Sequence, residues 1–575
     1  MLKKALKILR ENSFAAFLIL VGSAVWSATM VKSGLIYSYG MGFWGPNGHD
    51  GIWHIALIKV LARGSSDTPV FAGESLKNYH IGYDLLLAWT SKLSGINPVT
   101  LYFQIFPPIL ALLIGVLTYK FIVDWKGSRA QALWATFFVY FGGSFGWVVN
   151  LFRSGTLGGE SMFWAQQGIS TLINPPFALS LVLLLGGLIF LRSYLKSASF
   201  ANFALATLCF GVLIQIKAYA GILVLGALAV SGIYFFVKER KTNLLLVFLV
   251  SAFLTLILFL PFNKGAAGLF VFQPFWFLES MMGFSDRLNW PRFYSAMTNY
   301  RLGAIWIKAA PAYLVEFVIF WVGNLGIRVI KEFLVFRWFR NLKHLGWLEI
   351  FLASVIVGGA VIPMFFLQKG TPWNTIQFIY YSLFFSGILA GIALEEILAK
   401  TTKFVRTNIG IIVIVLTIPT TIGTLGQYLP SRPPAMISAP ELEALKFLEV
   451  QPQGVVLTYP FDSAKAKAAE PYPPRPLYLY ESTAYVSALS GHPVYLEDTV
   501  NLSITGYPWE ERNQKVVKFL ESSNANFVRK FLGENNIRYI YWLKGQKTAL
   551  GEREAGLTKI FENDAADIYR VDLRN

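Results

Sequence analysis

The chain has 575 residues, of which 55% are hydrophobic and only 14% are charged, and its mean hydropathy is +0.50. This composition excludes an ordinary soluble globular protein and indicates a polytopic membrane protein. The net charge of +17 could suggest a nucleic-acid partner, but residues 437–575 carry 16 Lys+Arg against 18 Asp+Glu, so the whole excess lies in the hydrophobic part. We therefore expect no nucleic-acid partner, because the basic residues of a membrane protein belong to its cytoplasmic loops.

Apolar segments of roughly 17 to 25 residues recur along the sequence, which is the length that an α-helix needs to cross a hydrocarbon core about 30 Å thick. Basic residues cluster in alternate connecting loops, so the positive-inside rule predicts a cytoplasmic N-terminus and an extracytoplasmic C-terminal region. We expect a multi-pass protein of the prokaryotic plasma membrane with about eleven transmembrane helices, the segment 203–237 counting as two. The other candidate spans lie near residues 13–33, 99–122, 130–151, 172–191, 243–262, 310–330, 347–367, 375–394 and 408–427.

The first external loop, residues 34–98, holds most of the side chains that suggest chemistry. Three of the five histidines of the chain lie in it: His49, His54 and His80. Asp50 and His54 are four residues apart in one amphipathic segment, and His80 and Asp84 are four apart in a second. If both segments are helical, each pair shares one face of its helix, and the two pairs together predict a joint site.

This constellation has three interpretations. The first is structural, with helix capping and aromatic anchoring of the loop at the membrane interface. The second is a divalent metal site, because His and Asp are metal ligands, although no ligand spacing signature is present and no cofactor is firmly predicted. The third is acid/base chemistry, in which Asp50 accepts a proton, His54 or His80 orients it or the substrate, Asp84 belongs to the same site, and His49 contacts the substrate. We expect Asp50 to be the essential residue.

The segment 203–237 lies between two basic loops, so the chain should enter the membrane from the cytoplasm and return to it. Two helices of about 15 residues would each rise only about 22 Å, which predicts a short hairpin with Lys217 at its apex. A lysine at that depth either extends to the interface or binds an anion. Lys217 is therefore a candidate ligand for a lipid phosphate.

Two later external segments contain further candidates for substrate contacts. Lys369 lies in QKGTPWNTIQF, a turn between spans, where Asn374 and Gln377 could line the same site. The loop 263–308 is rich in aromatic residues and could lie flat on the membrane as a lid, with Arg301 as a phosphate contact. The alternative for each is an ordinary residue of the membrane interface.

After Pro433 and Pro434 the sequence takes on the pattern of a small soluble domain. Its periodicity predicts helices in ELEALKFLEV, STAYVSALSG, QKVVKFLESS and ANFVRKFLGENN, and strands in GVVLTYP, HPVYLE, IRYIYWL, LTKIFEN and ADIYRV. We find no Gly-rich phosphate loop, nucleophile elbow or metal-ligand spacing in it. The predicted organisation is a multi-span helical membrane domain over 1–430 and an extracytoplasmic α/β domain over 437–575.

The order of these parts resembles the GT-C superfamily of polyprenyl-phosphate-dependent glycosyltransferases, which includes the protein O-mannosyltransferases, the aminoarabinose transferase of lipid A and RgtA-like enzymes. Asp50 in GHDGIWHIALIKVLARG matches the position of the family's catalytic carboxylate. Lys217 in IQIKAYAGIL is similar to the basic residue that many members carry at the outer end of short middle helices. The chain departs from the family where many members have a His-Pro-Pro-like turn, because it reads NYHIGYDLL there, and we find no obvious paired-acid motif.

The resemblance implies an integral-membrane glycosyltransferase that moves a sugar from a polyprenyl-phosphate donor to a lipid, glycan or protein acceptor on the external face. Asp50 would be the general base, His54 and His80 would position groups, and Lys217 and Lys369 would bind the phosphate. Membrane lipids are the other expected partner. Two other classes stay open at this point: a transporter or lipid flippase, and a noncatalytic cell-envelope assembly or binding protein.

Overall fold

The computed structural model describes residues 12–263, 265 and 270–572. Contacts divide the chain into two compact units. The first, here called the membrane unit, comprises Met1–Thr29, Pro107–Pro261 and Ala267–Gln427. The second, called the α/β unit, comprises Met30–Phe106, Phe262–Ala266 and Tyr428–Asn575. This division differs from the two domains drawn from composition, because the first external loop folds together with the C-terminal segment.

The helices of the described residues are numbered here in chain order. Up to the end of the membrane unit they are α1 Ser13–Ala28, α2 Asp50–Ala62, α3 Gly82–Ser94, α4 Pro98–Lys126, α5 Arg129–Phe141, α6 Gly146–Ser154, α7 Pro175–Ser197, α8 Phe200–Ile216, α9 Ala218–Glu239, α10 Asn243–Phe259, α11 Trp276–Gly283, α12 Pro291–Leu302, α13 Trp306–Leu325, α14 Lys331–Arg340, α15 Trp347–Phe365, α16 Gln377–Leu398, α17 Lys403–Thr417 and α18 Pro419–Tyr428. The C-terminal segment adds α19 Ala439–Glu449, α20 Ser463–Ala469, α21 Tyr485–Ser490, α22 Thr499–Thr505, α23 Trp509–Glu521 and α24 Ala525–Glu534.

The number of membrane spans can be judged from helix length and composition. Among the described residues, seven helical segments are long and apolar enough to cross a membrane, or eight if the pair α5 and α6, bent by 44°, forms one span. Three more apolar helices, α1, α8 and α10, are shorter. The chain is therefore an integral membrane protein. The full count of eleven spans stays a prediction, since it requires all three short helices to cross.

The hairpin predicted over 203–237 is only partly right. The chain does break at Lys217, whose backbone is extended (φ −157°, ψ 107°) between α8 and α9. The two arms are unequal, however, because α9 has 22 residues and is long enough to span the membrane. The symmetric short hairpin is therefore wrong. The reason is that the apolar sequence after Lys217 extends through the 22 residues of α9, beyond the length of one short arm.

Helix α16 forms the centre of the membrane unit and packs against α5 and α15. Its Gly391 lies so close to α5 that a Cβ atom would collide with the backbone of Ala135, and Gly387 lies against the carbonyl of Phe138. Small residues at such contacts let helix backbones approach closely where no hydrophobic effect drives them together. On its other side α5 is tied to α1, since Trp26 Nε1 donates to the carbonyl oxygen of Tyr140 at 2.8 Å.

The α/β unit contains two four-stranded sheets within the described residues. The first has the order β1-β2-β5-β7, with β1 Leu35–Tyr37, β2 Gly40–Phe43, β5 Ala435–Ser438 and β7 Arg475–Pro476; only its last pair is parallel. The second has the order β6-β8-β10-β9, with β6 Val455–Thr458, β8 Ile537–Leu543, β9 Leu557–Glu562 and β10 Ala566–Val571; only β6 and β8 are parallel. In the membrane unit, β3 Phe270–Phe272 pairs with β4 Phe366–Gln368.

The C-terminal α/β domain is confirmed, and most of its predicted elements are present. The exception is HPVYLE, for which the periodicity predicts a strand. It forms only a single parallel bridge, between Val494 and Val456 of β6. The neighbouring Pro493 lacks a backbone N–H, which limits how far a hydrogen-bonded ladder can extend in this segment.

Candidate functional site

Helix α2 places Asp50 at the surface of the α/β unit. A short 3-10 turn over Gly45–Gly48 leads into His49, and α2 begins at Asp50. Behind this first residue the helix is almost entirely buried, whereas the side chain of Asp50 keeps 57% of its surface exposed. The positive end of the helix dipole favours a negative charge here, so the position suits an ionised carboxylate that a substrate can reach.

His49 connects Asp50 to a second acid. Its Nδ1 lies 3.5 Å from Asp50 Oδ1, and its ring stacks near that of Tyr480, with 5.9 Å between centroids. Burial by itself lowers the pKa of His49, but the hydrogen bond and charge of Asp50, together with the charge of Asp498, outweigh burial and raise it. His49 thus stays protonated to higher pH than a free histidine, and its positive charge holds the Asp50 carboxylate.

Glu497 and Asp498 form an acidic pair to which no sequence motif pointed. Glu497 accepts hydrogen bonds from two backbone N–H groups at the start of α21, at 2.9 and 3.2 Å. Asp498 caps α22, since its Oδ1 accepts from the backbone N–H of Asn501 at 3.0 Å. Burial raises the pKa of Glu497 to about 8 and that of Asp498 to about 7, and the charge of Asp50 adds to the rise at Asp498. Both acids can therefore change their charge near neutral pH.

Asp50 and His54 both lie in α2, as predicted, but His54 is buried in the core. It pairs with Asp84 of α3, with 2.8 Å between Nδ1 and Oδ1, and both side chains are buried. A carboxylate can only accept, so His54 Nδ1 carries the proton. The imidazole stacks with the ring of Tyr102 and meets that of Tyr83 edge-on. This pair joins the two helices of the first loop in an aromatic environment.

The predicted helical pair of His80 with Asp84 is also wrong. Helix α3 begins only at Gly82, so His80 precedes it. The His80 ring stacks on that of Tyr79, with centroids 4.7 Å apart and an interplanar angle of 17°. Asn78 has a positive φ of 54°, a conformation that asparagine tolerates better than most residues, and the turn there delays the helix start.

Lys217 lies where the N-termini of two membrane helices meet. Its side chain is buried, and Nζ donates to Oδ1 of Asn174 at 3.3 Å. Asn174 caps the start of α7, while Lys217 itself precedes the first residue of α9. Both helix starts carry the positive end of a dipole, so a lysine between them concentrates positive charge. Such an arrangement favours an anion such as phosphate.

The segment that contains Lys369 approaches the same part of the membrane unit. Tyr219, two residues after Lys217, donates from its hydroxyl to Oε1 of Gln368 at 3.0 Å. The adjacent Lys369 is exposed. Beyond it, Nδ2 of Asn374 contacts Oγ1 of Thr371 at 3.4 Å, and Nε2 of Gln377 contacts Oδ1 of Asn374 at 3.5 Å. Asn374 and Gln377 are thus neighbours, as the sequence suggested.

Arg301 is engaged in an ion pair. Its Nε lies 2.9 Å from Oε1 of Glu279 and donates to the hydroxyl of Tyr313 at 3.0 Å, while that hydroxyl donates to Glu279. The cluster joins α11, α12 and α13 of the membrane unit. A phosphate at Arg301 would have to compete with the Glu279 carboxylate, so a structural role explains its geometry directly.

The structure divides the predicted site residues between the two units. The α/β unit holds His49, Asp50, His54, His80 and Asp84, and the membrane unit holds Lys217, Arg301, Lys369, Asn374 and Gln377. Among the described residues, no group of three or more His, Cys, Asp or Glu side chains is placed to hold a metal ion. Sequence reasoning missed Asn174, although the N-P-P at the start of α7 is a recognisable helix-start signal.

The comparisons with known proteins give matches among solved structures only. No protein family and no curated protein matches the sequence. One structural match is the archaeal oligosaccharyltransferase AglB from Archaeoglobus fulgidus, solved with an inhibitory peptide and a dolichol-phosphate. The TM-score is 0.52 at 11% identity, over 93% of this chain and 70% of that chain.

A second match is an oligosaccharyltransferase from the same organism, solved with Zn and sulfate. Its TM-score is 0.51 at 12% identity, over 92% of this chain and 68% of that chain. At such low identity the likeness establishes the fold. The chain therefore has the fold of these oligosaccharyltransferases, and the resemblance seen in the sequence is confirmed at the level of the fold.

Proposed function

We propose that this protein is an integral-membrane glycosyltransferase that moves a sugar from a polyprenyl-phosphate-linked donor to an acceptor on the extracytoplasmic face. The observation that carries the proposal is Asp50. It is a half-exposed carboxylate at a helix start, held by His49, in a chain with the fold of an oligosaccharyltransferase. A general base must be reachable by the substrate and must be oriented, and Asp50 meets both conditions.

The donor is activated by its own leaving group, so the protein needs a cation to stabilise the departing phosphate. Lys217 fits this requirement, because it lies between the positive ends of two helix dipoles, where an anion relieves the accumulated charge. The exposed Lys369 is the second proposed cation. The AglB structure was solved with a dolichol-phosphate, which is a lipid phosphate of the proposed donor class.

In the proposed reaction, Asp50 removes a proton from an acceptor hydroxyl or amide. The acceptor atom attacks the anomeric carbon of the donor sugar as the bond from that carbon to the phosphate oxygen breaks. The electron pair of the broken bond stays on polyprenyl phosphate, whose charge a cation must stabilise. Attack from the side opposite the leaving group inverts the anomeric configuration. His49 keeps the carboxylate oriented throughout.

The test is native mass spectrometry of protein gently extracted from its own membrane, followed by transfer from the lipid that co-purifies. We expect wild-type protein to retain a lipid with the mass of a polyprenyl phosphate plus a sugar. Replacing Lys217 by Met should reduce its occupancy at least fivefold, since a charge-assisted hydrogen bond contributes roughly 1.5–3 kcal/mol. The matched control is Lys400→Met, at an exposed lysine of the same unit.

Retention of ordinary phospholipids without any lipid-linked sugar, in wild type and both variants, would contradict the proposal and favour a transporter. Equal retention by Lys217→Met and wild type would remove Lys217 from the donor site. In that case Asp50 could still be tested on its own by following transfer to an acceptor.

A further inference from the structure

The α/β unit contains a cavity of about 240 Å³. It lies at the C-terminal end of β6, where the chain continues through Tyr459 and Phe461, and it is bordered by Tyr541 of the neighbouring β8. Its volume is slightly below the range of roughly 300–1,000 Å³ in which small molecules usually bind, so it suits a compact ligand. No residue predicted from the sequence lines it.

Aromatic and polar side chains alternate around this cavity. Tyr459, Phe461, Tyr480 and Trp509 provide ring surface, and Phe461 is 37% exposed. Thr483 is 5% exposed, lines the cavity, and its hydroxyl has no hydrogen-bond partner among the described residues. Flat apolar faces next to unsatisfied polar groups match a ligand that has both, such as a sugar ring with its C–H face and its hydroxyl rim.

The charges of the lining exclude an anionic ligand. Asp462 and Glu481 line the cavity against one ammonium group, that of Lys465, and Glu497 and Asp498 add negative charge as they ionise near neutral pH. A phosphate or an acidic sugar would meet net negative charge. Carboxylates accept hydrogen bonds from hydroxyl groups, and the amides of Asn513 and Gln546, which also line the cavity, both donate and accept. A neutral polyhydroxy ligand satisfies this lining.

An extended peptide is a poorer match, because the sheet edge beside the cavity is already occupied. The free side of β6 is covered by the segment around Val494. There the backbone N–H of Tyr495 donates to the carbonyl oxygen of Val456 at 2.8 Å. The hydroxyl of Thr458 donates to the carbonyl oxygen of Leu496 at 3.1 Å. A peptide could not add a strand at this edge without displacing these bonds.

Two lining residues of the cavity also interact with the pair of His49 and Asp50. Tyr480 lines it and stacks near His49, the neighbour of Asp50. Asp498 lines it as well and interacts electrostatically with both Asp50 and His49. The lining of the cavity is therefore linked to the pair of His49 and Asp50 through Tyr480 and Asp498.

We propose that this cavity binds the terminal ring of a neutral oligosaccharide, which serves as the acceptor. The role of the oligosaccharide as acceptor rests on the proposed glycosyltransferase function, whereas its binding to the cavity does not. The aromatic residues hold the face of the ring, and the carboxyl and amide groups bind its hydroxyls. Asp50 then takes the proton of the hydroxyl that becomes glycosylated.

The experiment measures binding of full-length protein in nanodiscs to an immobilised panel of neutral and acidic oligosaccharides and extended peptides. We expect at least one neutral oligosaccharide to bind, and none of the acidic ones. Phe461→Ala should weaken that binding at least tenfold. Tyr472→Ala, at a 77% exposed aromatic residue of the same unit outside the lining, should leave it unchanged. Glu481→Gln provides a conservative second variant, with melting curves to show that each protein is folded.

Binding of peptides or acidic glycans alone, binding of no glycan by folded protein, or unchanged glycan binding in both Phe461→Ala and Glu481→Gln would overturn the cavity proposal. Asp50→Asn separates the two proposals. Neutral glycan binding that persists in wild type and in Asp50→Asn, with no transfer by either, would leave the cavity standing and refute the transferase. Transfer to an acceptor without neutral glycan binding would refute the cavity proposal and leave the transferase proposal standing.

Discussion

The membrane unit and the α/β unit bury polar groups of opposite charge in different ways. In the membrane unit two buried cations, Arg328 and Lys217, donate hydrogen bonds to neutral oxygens. Arg328 donates to the carbonyls of Asn324 at 2.7 Å and Leu325 at 3.0 Å, and Lys217 donates to the amide of Asn174. These partners are carbonyl and amide oxygens, which bear no formal charge.

In the α/β unit the buried acids are held by backbone N–H groups and by histidine. Glu497 lies against the start of α21, and Asp84 is bonded to His54. Asp50 alone among the predicted acids is exposed. The difference teaches that burial of a charge does not by itself indicate chemistry. A buried group such as Asp84, bonded to His54, stabilises the fold, whereas the groups proposed to act on the substrates are Lys217 and the exposed Asp50.

The largest effect should come from breaking the buried pair in the α/β unit. Asp84→Ala leaves the His54 imidazole in the core without its carboxylate, and the loss of one partner of a buried pair costs about 3–5 kcal/mol of stability. We expect a strongly lowered melting midpoint, measured by tryptophan fluorescence, with Asp84→Asn less affected because its shape is kept. If Asp84→Ala instead lost activity while its stability was unchanged, the pair of His54 and Asp84 would be catalytic. The distinction between buried structural groups and groups that act on the substrates would then fail.

The next effect concerns the exposed acid. Asp50→Asn should leave the melting midpoint almost unchanged and lower the rate of sugar transfer about a hundredfold or more, since the proposed general base is lost. The matched control is Asp67→Asn, at an exposed aspartate of the same loop. Equal losses in both variants, or full activity of Asp50→Asn, would refute the assignment.

A smaller effect is expected at the membrane cation. Lys217→Met removes a charge-assisted contact with the donor phosphate, and we expect kcat/KM for the lipid donor to fall roughly tenfold. The KM for the acceptor should not change, because the proposed acceptor cavity is lined by residues of the α/β unit. A change confined to the acceptor KM would show that Lys217 does not contact the donor.

The smallest effect is a pH dependence of stability. The pKa of Asp498 is raised by burial to about 7, above its ordinary value, so the folded protein keeps this proton while the unfolded chain loses it. Stability therefore falls as pH rises towards and through that pKa, by about 1 kcal/mol between pH 6 and 7.5. Asp498→Asn does not titrate, and its melting midpoint should fall about 2–4 °C less than that of wild type over this interval. Parallel curves would contradict the raised pKa.

Much of the architecture could be predicted because it depends on local properties of the chain. Spans were found from apolar length and the C-terminal helices and strands from their periodicity, since each signal is contained within one element. The break at Lys217 was found for the same reason. The unequal arms were missed, because where a helix ends in a membrane also depends on its neighbours.

The site was predictable only in part. Asp50 could be singled out from its setting in the first loop, but its proposed partner His54 pairs with Asp84, 30 positions along the chain. A spacing of four residues predicts a shared helical face only if both residues are helical, and His80 is not. No sequence pattern singled out Glu497 and Asp498, because an acidic pair in a loop is typical of an exposed surface and only the structure shows that these two are largely buried.

The sequence alone thus determined that the chain is an integral membrane protein with a C-terminal α/β domain, and it directed attention to Asp50 and Lys217. Hydropathy and periodicity suffice for this, because they reflect how each segment partitions between water, core and lipid. Only the tertiary structure decided which acid pairs with which histidine, that the first loop folds with the C-terminal segment, and that the α/β unit has a cavity lined by Tyr480, whose ring stacks near His49. Those properties arise from contacts between distant segments, whose geometry no local pattern encodes.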